Sequence, residues 1–168
     1  MKQVEDKTVL AVCRDENLYD KLRAASPEAT ECLRAETAEQ AITVVERRLP
    51  DLVVIEQGFG GDDTWLVRRM RKSRGAEASQ FLVVAQNAAS AEIALLAGFD
   101  AALLGSTSSE EIRLAIRAAF LRRRRLSTVV AQRDFLGQAV RREENLSRKL
   151  LAHHVALEEM RRETSAQR

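Results

Sequence analysis

The 168-residue chain has only two cysteines, two prolines and seven glycines, and aromatic residues make up 4% of it. No apolar run approaches the roughly 18–20 residues that a bilayer span requires, which excludes a transmembrane protein. Cys13 and Cys32 cannot form a disulfide framework, so a reducing, cytoplasmic setting is expected. The segment Met1–Lys7 is charged rather than apolar, so no secretory leader is expected. A hydrophobic fraction of 45% is sufficient for a core and argues against wholesale disorder. The formal net charge of +2 conceals an uneven distribution. Residues 1–120 carry 15 Lys and Arg against 19 Asp and Glu, a net of −4, while residues 121–168 carry 12 against 6, a net of +6. Both prolines and all but one of the glycines and of the aromatics fall before residue 121. The composition therefore predicts an acidic globular domain over 1–120 and a basic, breaker-poor segment over 121–168.

The first 120 residues alternate between two periods. Thr8–Val12, Leu52–Ile55 and Phe81–Ala85 are short, continuous, β-branched-rich apolar runs, and Ala101–Leu104 is a weaker fourth. Such runs suit strands buried on both faces of a parallel sheet. Thr30–Ala35 fits an edge strand. Helical spacing recurs at 17–25, at 38–49 before Pro50, at 64–72 around Trp65, and at Ile93–Ala97 before Gly98. Trp65 lies on an apolar stripe and is expected in the core. Ser108 or Ser109, followed by Glu110 and Glu111, reads as a helix start. Five strands and five helices in strict alternation predict a doubly wound α/β domain with a five-stranded parallel sheet in the order 2-1-3-4-5.

In such a fold, function sits beyond the carboxyl ends of the strands. Here those ends carry Cys13, Arg14, Asp15 and Glu16; Glu56 to Asp63; Gln86 and Asn87; and Gly105, Ser106 and Thr107. The runs Lys7-Thr-Val-Leu-Ala-Val12, Leu49-Pro-Asp-Leu-Val-Val-Ile55, Asp63-Thr-Trp-Leu66 and Ala97-Gly-Phe-Asp-Ala-Ala-Leu103, at these separations, resemble the receiver domains of bacterial response regulators. The resemblance covers about residues 7–120. It implies two-component signalling, in which an aspartate at the end of the third strand accepts a phosphoryl group from a partner histidine. That chemistry uses a carboxylate nucleophile and Mg²⁺. It also uses an acid pair after the first strand, a Thr or Ser after the fourth and a Lys after the fifth.

Every one of these positions departs from the pattern. The acid pair falls on Cys13 and Arg14, the acceptor on Glu56, the hydroxyl on Ala85, the lysine on Gly105 and the aromatic switch on Ala102. Mg²⁺ prefers several hard oxygen ligands, and Glu56 is nearly alone, so neither metal nor cofactor is expected and no catalysis. Glu56 is expected to pair with Arg14, with a phosphoaspartate mimic as the rival reading. Cys13 is expected as a small buried residue, although the neighbouring Arg14 would favour a thiolate. Gly58-Phe-Gly-Gly61 lacks the Lys of a P-loop and reads as a flexible loop over the former site.

From Ser109 onward the only glycine is Gly137 and there is no proline, so the last helix of the domain is expected to run on through the tail. A heptad register places Val129, Gln132, Leu136, Ala139, Glu143, Leu146, Leu150, His153, Leu157 and Met160 at core positions, seven of the ten apolar. A rival register through Leu126, Leu136 and Val140 has six of ten, so the stripe is wide. A coiled coil or helical hairpin follows, and a lone stripe predicts a parallel homodimer. Arg122–Arg125 point in four directions about 100° apart on a helix and form no single basic face. A solvated helical collar or an anchor for the acidic domain is the preferred reading of these arginines, ahead of nucleic-acid binding. His153 and His154 lack the acid and proline that flank the phosphorylated histidine of common kinases. The leading function is thus a phosphorylation-independent signalling or scaffold module that binds an unidentified signalling protein, with the front end of a longer protein as a variant of that reading. A nucleic-acid-binding regulator comes second and a histidine phosphotransfer protein third, and no membrane partner is expected.

Overall fold

The computed structural model describes residues 7–28, 30–59 and 61–166, with side chains as far as Leu151. Its elements run in the order β1 (Lys7–Val12), α1 (Glu16–Ala25), β2 (Thr30–Ala35), α2 (Ala38–Arg48), β3 (Leu52–Glu56), α3 (Asp63–Arg71), β4 (Gln80–Ala85), α4 (Ala88–Ala97), β5 (Ala101–Leu104) and α5 (Ser109–Ala166), with a short 3-10 turn at Ala76–Ala78. The five strands form one parallel sheet in the order β2-β1-β3-β4-β5. Both the strand order and the α/β alternation agree with the sequence reading. No described helix is long and apolar enough to cross a membrane.

Strand periodicity divides the core in two. On one face Leu10, Val12, Val53, Ile55, Phe81 and Val83 pack against Ala41 and Val45 of α2, Leu66, Val67 and Met70 of α3, and Phe99. On the other, Val9, Ala11, Leu52, Val54 and Leu82 pack against Leu22 and Ala25 of α1 and Ile112, Ile116, Ala119 and Phe120 of α5. The central strands β1, β3 and β4 supply residues to both cores, which is why they read as unbroken apolar runs.

Each helix start is fixed by a short polar side chain. Asp15 accepts from the Asn17 N–H, Thr37 from Gln40, Asp62 from Trp65 and Asn87 from Ser90. At α5, Ser108 and Glu111 form a reciprocal capping box: Glu111 N–H donates to Ser108 Oγ and Ser108 N–H to Glu111 Oε2. The Ser108 hydroxyl and amide, both donating, hold the Glu111 carboxyl below its ordinary range.

Two aspartates close the amino end of the sheet. Asp51 precedes β3, and its Oδ2 accepts the Thr8 N–H at 2.9 Å from the start of β1. Asp100 precedes β5, and its Oδ2 accepts the Phe81 N–H at 2.7 Å from the start of β4, while also pairing with Arg71. The Leu-Pro-Asp and Gly-Phe-Asp runs therefore place one carboxylate below each of two strand pairs. Asp51 does more. Its Oδ1 accepts from Arg123 Nε, and Arg122 Nε donates at 3.1 Å to Oε1 of Gln80, a residue only 2% exposed. Two of the four consecutive arginines thus anchor α5 to the base of the acidic domain. The chain divides into two compact units, 1–127 and 128–168. The first passes the composition break at 120 because of these contacts.

In the second unit, helix α5 continues with an exposed apolar surface. Val129, Phe135, Leu136, Val140, Leu146 and Leu150 are all exposed, and so is Ala139. The expected core positions His153, Leu157 and Met160, like His154, lie outside the described side chains.

Replacing Asp51 by Ala leaves the Thr8 N–H and the part-buried Arg123 without their carboxylate. An unfolding free-energy loss of about 1–3 kcal/mol is expected, measured by urea denaturation of the whole chain, whereas Arg125→Ala, at an exposed position, should leave stability unchanged.

Candidate functional site

The carboxyl ends of β1, β3, β4 and β5 gather Cys13, Arg14, Glu56, Ala85 and Gly105 at one rim of the sheet. Glu56 ends β3 and is half-buried. Its Oε2 accepts the backbone N–H of Arg14 at 2.8 Å and approaches that of Asp15 at 3.4 Å. The carboxylate is thus bound by the peptide chain that links β1 to α1. The expected Arg14–Glu56 ion pair is not among the salt bridges of the described residues. The Arg14 guanidinium instead lies over the Phe59 ring, 5.5 Å from its centroid. Backbone amides already meet the charge of Glu56, which releases the arginine for stacking on an aromatic face.

Arg34, which sequence reasoning passed over, is the cation whose charge acts on Cys13. It lies one pairing step before the end of β2, opposite Ala11, and its Nη2 donates to the Arg14 carbonyl at 2.9 Å. It also pairs with Glu36 at 3.3 Å and lies over the Tyr19 ring. The β1–β2 register brings residue 34 beside the end of β1, a placement that no single stretch of sequence signals.

Cys13 is 1% exposed, as expected for a small buried residue. Burial pushes its thiol up to about 11, outweighing the opposing pull of Arg34. The anticipated stabilisation of a thiolate by Arg14 is therefore not what governs it. Cys32 is half-buried, with its Sγ 3.4 Å from Ser26 Oγ, and both cysteines are free.

The loop after β3 is tied down. Gln57 N–H donates to Val84 O, and Gln57 Oε1 accepts the Gln86 N–H at 2.8 Å. Phe59 is buried, Gly58 adopts a left-handed φ of 80°, and Asp63 Oδ2 accepts the Gly58 N–H at 2.6 Å. Burial raises the Asp63 carboxyl above its ordinary range, against the pull of that N–H. Trp65 differs from expectation. It is 54% exposed, and Leu66, Val67 and Met70 fill the core side of α3 instead. The N-cap at Asp62 sets the helix phase, which turns position 65 outward.

Ala85 and Gly105 meet at the end of β4, where the Gly105 N–H donates to Ala85 O at 3.0 Å. With no hydroxyl and no ammonium here, neither can bind phosphoryl oxygens through a side chain. Ala102 is half-buried against the α2–α4 side of the sheet. Beside the rim, a cleft of roughly 170 Å³ runs between α1 and α5. Among the described residues, no three His, Cys, Asp or Glu side chains stand together as a metal site. The Mg²⁺ that a phosphorylation pocket would need does not fit this donor set. A buried neutral thiol and an arginine replace two carboxylates, one Glu56 oxygen is already bound by amides, and Asp15 caps α1.

No protein-family model matches the sequence, and no curated protein matches it. Solved structures do. A response regulator receiver domain protein from Methanospirillum hungatei aligns with a TM-score of 0.62 and 20% identity, over 71% of this chain and 97% of its own. The chain has the receiver fold. The receiver domain of a Francisella response regulator aligns with a TM-score of 0.59 and 16% identity, over 69% of this chain and 98% of its own. A structure described as adenylate cyclase from Rhodopirellula baltica reaches 0.64 and 18%, over 78% and 97%. At these identities the likeness establishes the receiver fold, and the chemistry of this rim rests on its own residues.

The two thiols should differ in reactivity. Under mildly alkaline conditions iodoacetamide should modify Cys32 and spare Cys13 in the folded chain, and both should react in urea, as read by peptide mass spectrometry.

Proposed function

We propose that the chain is a phosphorylation-independent signalling module, not an enzyme, which binds a partner protein through its receiver fold and pairs with a second copy through its C-terminal helix. The observation that carries this reading is the seating of Glu56. Its carboxylate binds the β1–α1 loop through the Arg14 and Asp15 amides, so the two strand ends are held together without a phosphoryl group or a metal ion. Ala85 and Gly105 leave no side chain to read a change in charge, so a permanent structural role for Glu56 is favoured over a phosphoaspartate mimic.

A surface suited to a protein partner lies on α4. None of its residues is buried, and Ile93, Leu95 and Leu96 are exposed, Leu96 by 85%. Leu104 of β5 and Leu114 of α5 are exposed as well. A helix this apolar and this uncovered is the kind of patch that marks a protein interaction site. Pairing through α5 is supported by the exposed stripe Val129, Leu136, Leu146 and Leu150, which has nothing to bury against within a single helix. Nucleic acid ranks lower, since Arg122 and Arg123 are engaged with Gln80 and Asp51.

The direct test is incubation with acetyl phosphate and Mg²⁺ followed by intact-mass measurement. No phosphoryl adduct is expected, and an adduct on any carboxylate would overturn the reading. For pairing, analytical ultracentrifugation at micromolar concentration should give a dimer. The double substitution Leu146→Lys and Leu150→Lys should give a monomer whose globular unit melts unchanged.

A further inference from the structure

The cleft beside the rim is the feature that a purely structural reading leaves unexplained. Its apolar wall is formed by Leu18 and Leu22 of α1, Leu103 of β5 and Ile112 of α5. Its polar lining is Asp15, Lys21, Glu56, Gln57 and Gln86, of which Asp15, Lys21 and Gln86 are exposed at its mouth. The open space has a local cause. A Cβ built on Gly105 would meet only the Ala85 carbonyl, at an ordinary 3.9 Å, and the backbone there is not in the left-handed region that favours glycine. Position 105 could hold a side chain without strain, yet it holds none, and Ala85 beside it is nearly as small. At roughly 170 Å³ the cleft exceeds the engineered apolar cavity of about 150 Å³ that takes up benzene.

The mouth fixes the charge of what could bind. Lys21 forms none of the salt bridges of the described residues. Glu56 uses Oε2 for the Arg14 and Asp15 amides, while Oε1 makes none of the hydrogen bonds of the described residues. Gln57 uses Oε1 for the Gln86 N–H, which leaves its NH₂ group as a donor. A neutral apolar molecule would cover one cation and two carboxylates without answering any of them, which is costly. An anion would answer Lys21 but face the carboxylates of Glu56 and Asp15, and a cation would do the reverse. A small zwitterion answers Lys21 and Glu56, while Asp15 keeps the Asn17 N–H as its own partner, and the ligand's side chain would lie against the leucines.

We propose that this cleft binds an apolar α-amino acid with a branched or single-ring side chain, its carboxylate on Lys21 and its ammonium on Glu56. The inference rests on the reading that the rim is not a phosphoryl acceptor. The ligand would link α1, β3 and α5 across the sheet edge, giving the receiver fold an input that needs no covalent modification.

The test is an NMR titration of the full ¹⁵N-labelled chain with L-leucine and L-phenylalanine, and separately with isovalerate and isoamylamine, which each keep one of the two charges. Saturable shifts at Glu56, Gln86 and Gly105 are expected with an amino acid, with a dissociation constant below about 1 mM. Each single-charge analogue should bind at least about tenfold more weakly, the size of one lost charged contact. Gly105→Leu fills the cleft and should abolish the shifts while the thermal midpoint holds or rises, which separates loss of site from loss of fold. Lys21→Met should weaken the amino acids and leave isoamylamine unchanged. Absence of saturation, equal binding of isovalerate, or shifts that persist in Gly105→Leu would each overturn the proposal. A phosphoryl adduct from acetyl phosphate would instead remove the reading beneath it, whatever the titration shows.

Discussion

The two-sided burial of three strands is the constraint on which the rest of this structure depends. β1, β3 and β4 have helices on both faces, so every residue of Val9–Val12 and Leu52–Ile55 is within 1% of complete burial. A strand so placed has no polar face. Its only contact with water is at its ends, and polar chemistry has to gather there. That is why the amino end holds Asp51, Asp100 and Gln80, and why the carboxyl end holds Glu56, Gln57, Gln86 and the capping residues of α1, α3 and α4. Polar side chains gather at the rims because the sheet leaves them nowhere else to be.

The strands and their order were legible because continuous apolar runs and breaker residues are local signals. Thr30–Ala35 and Ala101–Leu104 even keep their expected bounds. The side-chain geometry was less legible, for reasons specific to each residue. Trp65 sits on an apolar stripe in the sequence, but helical spacing marks a stripe without saying which flank of it faces the sheet. Ile93, Leu95 and Leu96 read as helical spacing before Gly98, yet all three are exposed, and only Ser90, Ala91, Ala94 and Ala97 of α4 are part-buried. The partner of Glu56 was sought among charged side chains, where sequence can look. The actual donors are backbone amides, which every residue has and no residue type announces. Arg34 was hidden because its neighbour across the sheet depends on register, a property of two strands together.

The pocket positions Cys13, Arg14, Glu56, Ala85, Gly105 and Ala102 were identified by resemblance, and the fold places the first five at one rim. What the resemblance did not carry is how their chemistry is redistributed. The charge of Glu56 is met by peptide dipoles, that of Arg14 by an aromatic face, and Cys13 is pushed towards the neutral thiol. Arg14 and Cys13 have found local solutions, while Glu56 has settled one of its two oxygens. Beside Gly105, small residues leave volume in place of contact.

The ties at the base of α5 have a mechanical meaning. Within the globular unit the helix is held at the rim by the Ser108–Glu111 box and at the opposite end of the sheet by Gln80 and Asp51. Neither glycine nor proline interrupts the chain between Ser106 and Leu136. A rod fastened at two heights has lost its freedom to slide and to hinge, and tilting or twisting with the sheet is what remains. A shift of the sheet would reach this helix as a change of angle.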